Sequence, residues 1–327
     1  MKKRMLGKTG FMVSEIALGT WQLGGGWGQS FDNALAKETL CEALKNGINC
    51  FDTADVYSNG QSEQAIGKLY DTLTDKPIVI TKLGRQLPKQ DKSLYTEKSI
   101  RGFVNESLER LSVASLDVVL LHCPPSDLYD DGTVFEILDK VKKEGLIKHY
   151  GVSVELVEDA LKALEYEGVA AIEVIFNMFR LKPLEKLFKL AQEKNVGIIV
   201  RVPLASGLLT GKYTKDTTFK KDDHRNFNRD GKAFDKGETF SGVDFDLGLQ
   251  AVEALKKVFK TEDLVPIALR FCLMFDAVST VIPGASKPYQ VKLNADAAKR
   301  NPLTDEEMKK VFKIYDDYIK DSVHHLW

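Results

Sequence analysis

Cysteine is scarce in this chain: Cys41, Cys50, Cys123 and Cys272 are its only four, and no two of them form a CxxC pair. The pattern reads as reduced thiols in a cytoplasmic protein rather than as a disulfide framework. An excess of either charge is equally missing. The 46 basic residues stand against 47 acidic ones, which removes the electrostatic case for nucleic acid or an anionic membrane surface as partner. No run approaches the roughly 18 apolar residues that a spanning helix needs, and the basic Met1-Lys2-Lys3-Arg4 start is followed by no apolar signal core. Neither secretion nor a membrane is expected. The one glycine-rich stretch, Gly24-Gly25-Gly26-Trp27-Gly28, fails the G-x-G-x-x-G spacing at Gln29 and opens no helix directly, so it is no Rossmann fingerprint. Linkers, composition shifts and low-complexity segments are lacking as well. The 327 residues therefore read as one large domain, 1–327, with a single core.

What is present is alternation. Residues 3–13 read as a hairpin turning at Lys8-Thr9-Gly10. Eight short apolar, β-branched runs follow, near residues 15–18, 49–52, 77–81, 117–121, 149–153, 171–176, 197–202 and 278–282. Helical periodicity separates them at about 34–46, 62–70, 97–111 and 133–144, and from Pro183, a residue tolerated at a helix start. A last helix is expected over 304–321, ahead of a tail whose adjacent His324 and His325 point to different sides and so make no metal site. Eight strands joined by connections long enough for right-handed crossovers predict an α/β fold, a (β/α)8 TIM barrel with an N-terminal β-hairpin. The rhythm breaks once. A polar excursion after the seventh strand, about 212–246, carries Phe219, Phe227, Phe234, Phe240 and Phe245, too many aromatics for simple disorder.

Ionisable groups sit where strands end. Asn49-Cys50-Phe51-Asp52 leads to Tyr57 five residues later, Ile78-Val79-Ile80-Thr81 to Lys82, and Val118-Val119-Leu120-Leu121 to His122. In a parallel barrel the strand ends converge on one mouth, so Asp52, Tyr57, Lys82 and His122 are expected to be neighbours. Taken singly each has an ordinary reading: Asp52 as a helix cap, Tyr57 as half-buried packing, Lys82 as a solvated cation, His122 as a satisfied strand-end histidine. A metal-dependent barrel hydrolase is a rival for the set. It would want more histidines than His122, the only one of five at such a strand end, so no metal is expected.

Here the chain resembles the aldo-keto reductase superfamily, through Phe-Asp-Thr-Ala-Asp-Val-Tyr, Ile-Thr-Lys-Leu-Gly and Leu-Leu-His-Cys-Pro. The resemblance covers nearly the whole chain. It implies reduction of aldehydes or ketones with NADPH, NADH being possible, and a catalytic set of Asp52, Tyr57, Lys82 and His122. In it Tyr57 is the general acid, Lys82 lowers the phenol's pKa, Asp52 holds the lysine, and His122 orients the carbonyl oxygen. It also implies a cofactor site. Gly19, Thr20 and Trp21 follow the first strand; Ser153 meets the nicotinamide amide, with Glu173 standing where a glutamine is usual. Arg201 stands where an aromatic ring often stacks. Its planar guanidinium can stack too, or pair with an acid such as Glu173. Pro203, Leu204, Ser206, Gly207, Leu208, Gly211 and Lys212 resemble the pyrophosphate loop, and 212–246 a flap over it. Gly284, Ser286 and Lys287 precede a helix whose N-terminus suits an anion, with Gln290 and Asn294 toward the adenine. Trp21 and Trp27 would line a substrate pocket for apolar or aromatic carbonyls above Tyr57 and His122. A monomer is expected. The same resemblance admits a second reading, a cofactor-binding regulatory subunit like those of potassium channels.

Overall fold

A computed structural model describes residues 1–25 and 29–327. The hairpin is β1 (Lys3–Met5) paired antiparallel with β2 (Met12–Ser14). Eight further strands form one parallel sheet in chain order: β3 (Leu18–Gly19), β4 (Cys50–Asp52), β5 (Ile78–Leu83), β6 (Leu116–His122), β7 (Ile147–Ser153), β8 (Val169–Ile175), β9 (Gly197–Arg201) and β10 (Val278–Val281). Parallel bridges Ile16 to Val281 and Gly19 to Gly284 join the last strand back to the first. That closure makes the sheet a (β/α)8 barrel. The first strand is shorter than its apolar run because Glu15, Ile16 and Ala17 meet β10 through isolated bonds rather than a ladder.

Helices cover the outside: α1 (Asn33–Lys45), α2 (Gln61–Tyr70), α3 (Glu97–Leu111), α4 (Thr133–Lys143), α5 (Val157–Ala163) and α6 (Leu187–Glu193). Pro183 starts a 3-10 turn, Lys182–Leu184, rather than the α-helix itself, which begins at Leu187. The excursion holds a short helix, α7 (His224–Phe227). Then come α8 (Phe245–Phe259), α9 (Val265–Cys272), α10 (Pro288–Ala297), α11 (Asp305–Ile314) and α12 (Lys320–Val323), with a π-helical turn at Tyr315–Ile319 interrupting the last stretch. Among the described residues no helix is long and apolar enough to cross a membrane.

Both faces of most barrel strands are covered, which is why these strands read as apolar runs; β7, with exposed Lys148, is the exception. The outer faces pack on the helices in the large core. Side chains alternate across a strand, so every second residue enters the barrel. Ile80, Val118, Leu120, Ala171 and Ile199 fill its interior, and Leu6 and Val13 of the hairpin plug the lower end. Two residues on from this apolar layer the same strands bear Lys82, His122, Glu173 and Arg201, while Ser153 follows Gly151. Apolar filling below and ionisable groups above thus follow from one period-two pattern. Gly151 is required where it stands, because a Cβ there would lie 2.0 Å from the Ala171 carbonyl oxygen.

Candidate active site

Lys82 is the centre of the upper layer. Its fully buried ammonium donates to both Asp52 carboxylate oxygens at 2.6 Å, to the Thr53 carbonyl at 3.1 Å and to Tyr57 Oη at 3.4 Å. Glu173 Oε2 stands 3.4 Å from the same nitrogen. One buried cation therefore faces two buried carboxylates. Burial pulls the Lys82 ammonium down, but Asp52 and then Glu173 outweigh it, and its pKa ends above the ordinary value. Burial and the charge of Glu173 hold the Asp52 carboxyl well above the usual range, against the opposing pull of Lys82. Burial raises the Tyr57 pKa; Lys82 lowers it as expected but offsets only part of that rise, so the phenol still ends above its ordinary value. The phenol is therefore protonated at neutral pH.

His122 completes the group, its ring edge-on to that of Tyr57 with centroids 6.0 Å apart. Burial first, then the cations Lys82, Arg85 and Arg201, hold its pKa well below the ordinary histidine value. The imidazole is neutral and has one N–H to donate. A cleft of about 680 Å³ opens above these groups. Its wall includes Gly19, Trp21, Asp52, Tyr57, His122, Ser153, Glu173 and Arg201, together with Pro203, Leu204, Ser206, Gly207, Gly284 and Gln290. Lys82 lies beneath the floor. Among the described residues no group of three histidine, cysteine, aspartate or glutamate side chains is placed to hold a metal.

Several other expected residues lie away from the cleft. Thr20 is buried, its hydroxyl donating to the Asp52 carbonyl at 2.8 Å. Leu208 points into the core, Gly211 abuts the Glu262 carbonyl, and Lys212 is exposed. Asn294 turns toward the Gly284 carbonyl, 3.4 Å away. The N-terminus of α10 is not the open anion site expected of it: the Gln290 side-chain oxygen accepts from the amides of Ser286 and Lys287 at 2.9 and 3.1 Å. Trp27 lies outside the described residues.

Arg201 pairs with Glu238 of the excursion instead of Glu173, and its Nη2 donates to the Val154 carbonyl at 2.8 Å. Ser206 Oγ also donates to the Glu238 carbonyl, at 2.5 Å. The excursion is therefore tied to the end of β9 at the cleft, where Val202 adopts φ 52, a rare conformation for a β-branched residue. Phe234 and His224 pack on Trp21, with ring centroids 6.0 and 5.4 Å away. Sequence reasoning missed Glu238, His224, Arg225, Cys123, Arg85 and Glu155, all on the cleft wall. Only Arg85 and Cys123 had a local signal, each lying within three residues of a strand-end catalytic candidate.

The profile of the Aldo/keto reductase family matches residues 15–316. An uncharacterized oxidoreductase of Bacillus subtilis, YqkF, is 29% identical over 94% of this chain and 95% of its own. A putative voltage-gated potassium channel subunit beta of Schizosaccharomyces pombe is 31% identical over 95% of this chain and 92% of its own. Among solved structures, the glycerol dehydrogenase AKR11B4 from Gluconobacter oxydans superposes with a TM-score of 0.78 at 29% identity, covering 97% of this chain and 96% of that one. Sequence profile, barrel topology and whole-length likeness agree: the chain belongs to the aldo/keto reductase family of NAD(P)H-dependent oxidoreductases.

Proposed function

We propose that the protein reduces aldehydes or ketones to alcohols, with NADPH as hydride source and Tyr57 as proton donor. The observation that carries this reading is the buried Asp52–Lys82–Tyr57 chain beside a neutral His122 at one cleft. The residues fit a nicotinamide dinucleotide. Glu173 Oε2 and Arg201 Nε are buried without a hydrogen bond at the inner end of the cleft, and Gly284 leaves open space at its outer end. Ser153, Glu173 and Arg201 would hold the nicotinamide end; Leu204, Ser206 and Gly207 the pyrophosphate; and the Lys287 side chain a 2′-phosphate. The bound cofactor supplies a hydride to the carbonyl carbon.

The chain's own residues do the rest. His122 donates a hydrogen bond to the carbonyl oxygen and fixes its approach. As negative charge gathers on that oxygen, Tyr57 releases its proton to it, and Lys82 stabilises the phenolate left behind. Asp52 keeps the ammonium in place. We read the whole chain as one monomeric unit, and its four free thiols suit the reducing cytoplasm.

The test is NADPH oxidation with a panel of aldehydes. Turnover lost in Tyr57→Phe, with cofactor binding retained, is the expected result; no turnover of any carbonyl by the natural protein would overturn the reading. Fluorescence titration with NADPH and NADH tests the phosphate contact. NADPH should bind more tightly, and Lys287→Ala should narrow the gap; equal affinities in the natural protein would overturn that assignment.

A further inference from the structure

We propose that Arg85 is an anion-recognising residue of the substrate pocket, so that the preferred carbonyl compounds carry a carboxylate or phosphate group. The inference rests on the reductase reading above and refines its substrate class.

Arg85 follows Lys82 by three residues and lines the same cleft as Tyr57 and His122. Its position is built. Gly84 takes φ 111 and presses on the ring of Tyr95, where a Cβ would lie 3.0 Å from the phenol, so the chain can turn outward only with glycine at this point. Gln90 Nε2 donates to the Gly84 carbonyl at 3.0 Å, and Tyr95 Oη donates to Gln90 Oε1 at 2.7 Å. The loop backbone beneath Arg85 is thus clamped. On the far side of the pocket Arg180 Nη2 donates to the Glu155 carbonyl at 2.6 Å and fixes that residue, whose carboxylate accepts from Arg85 Nη2 at 2.8 Å.

A guanidinium has five N–H donors in a flat fork and binds a carboxylate best through two parallel bonds. Glu155 takes one edge of this fork through a single oxygen. The arginine side chain is 27% exposed on the cleft wall, where its other protein neighbour is the uncharged Cys123 thiol, so an anion entering the cleft can reach the guanidinium. Glu155 acts as the positioning residue: it orients the fork, and a second anion competes only with the neutral Cys123 thiol for the N–H groups that Glu155 does not take. A carbonyl compound whose oxygen meets Tyr57 and His122 can set an anionic group on Arg85 while its carbon chain passes the Trp21 side.

Matched pairs test this: 4-oxobutanoate against butanal, and glyceraldehyde 3-phosphate against glyceraldehyde, each reduced with NADPH. The anionic member should show a KM lower by about tenfold or more, the effect of one charge-assisted hydrogen bond. Arg85→Leu should bring the ratio near one, Arg85→Lys should restore part of it, and Glu155→Gln should lie between. The two pairs separate carboxylate from phosphate preference, and preference for either supports the proposal. Calorimetric binding of 4-hydroxybutanoate and 1-butanol to the NADP+-loaded protein gives the same comparison without turnover. Acid and alcohol binding alike, or a ratio untouched in a folded Arg85→Leu variant, overturns the proposal. Failure of every carbonyl to oxidise NADPH would count against the reductase reading, while the binding comparison would still decide the role of Arg85.

Discussion

Replacing Lys82 with methionine keeps the side chain's length and removes its charge, which isolates what the ammonium contributes. The lysine is 0% exposed, and the side chains of its partners Asp52 and Glu173 are 3% and 2% exposed. Removing one member of a buried ionic group costs about 3–5 kcal/mol, because the charge left behind has neither water nor partner. Here two carboxylates are left, so the upper end applies. Unfolding entropy of about 2.1 cal/mol/K per residue gives on the order of 0.7 kcal/mol/K for a chain of this size, so Tm should fall by about 5–7 °C. The loss should also depend on pH, with a definite sign. Without the ammonium the folded carboxylates relieve their repulsion by binding a proton, whereas unfolded carboxyls ionise near pH 4. The folded variant then holds more protons than the unfolded one, so its stability falls as pH rises above about 4. Calorimetric melts of both proteins at pH 5.5 and 8 check this. A variant that melts with the natural protein, or whose deficit is the same at both pH values, would refute the reasoning.

Asp55 supplies a second pH test. Both its carboxylate oxygens are buried without a hydrogen bond, and burial, aided by the charge of Glu63, pushes its pKa up to about 7. Stability present at acid pH is therefore lost as pH climbs from about 4 to 7, by on the order of 4 kcal/mol. Asp55→Asn should gain in Tm over the natural protein between pH 5 and pH 8, measured by thermal melts. Glu238→Gln should unlatch the excursion from Arg201 at a local cost of about 2 kcal/mol. Trypsin should then cut at Lys232 or Lys236 at least about tenfold faster, as timed digests followed by mass spectrometry would register. Gly151→Ala should destabilise by about 3 kcal/mol through overpacking against Ala171, read from urea midpoints.

The barrel was legible because its strands are largely buried on both faces and most carry an apolar run, as Val118 to Leu121 does, although Lys148 and His149 interrupt β7. The gathering of Asp52, Tyr57, Lys82 and His122 was legible for a related reason: period-two alternation places Lys82 and His122 directly above interior residues of their own strands. What escaped depends on long-range pairing. Glu238 meets Arg201 across 37 residues with no periodicity to announce it, and Glu155 meets Arg85 across 70. The α10 N-terminus looked like an open anion site because a sequence shows backbone amides but not which side chain reaches them, and Gln290 does. For Tyr57 the lowering by Lys82 was legible, but the net direction of the phenol's pKa was not. A neighbouring cation can be anticipated from strand ends, but the depth of burial that outweighs it cannot.

The central claim, that Tyr57, Lys82, Asp52 and His122 act together in carbonyl reduction, is tested most directly by isotope transfer. The protein is mixed with NADPH deuterated at the reactive carbon and a carbonyl substrate, and the alcohol is analysed by mass spectrometry. The account predicts one deuterium on the former carbonyl carbon, with transfer slowed by about 10²-fold or more in Tyr57→Phe. Alcohol formed without the label, or at an undiminished rate in the phenylalanine variant, would contradict it.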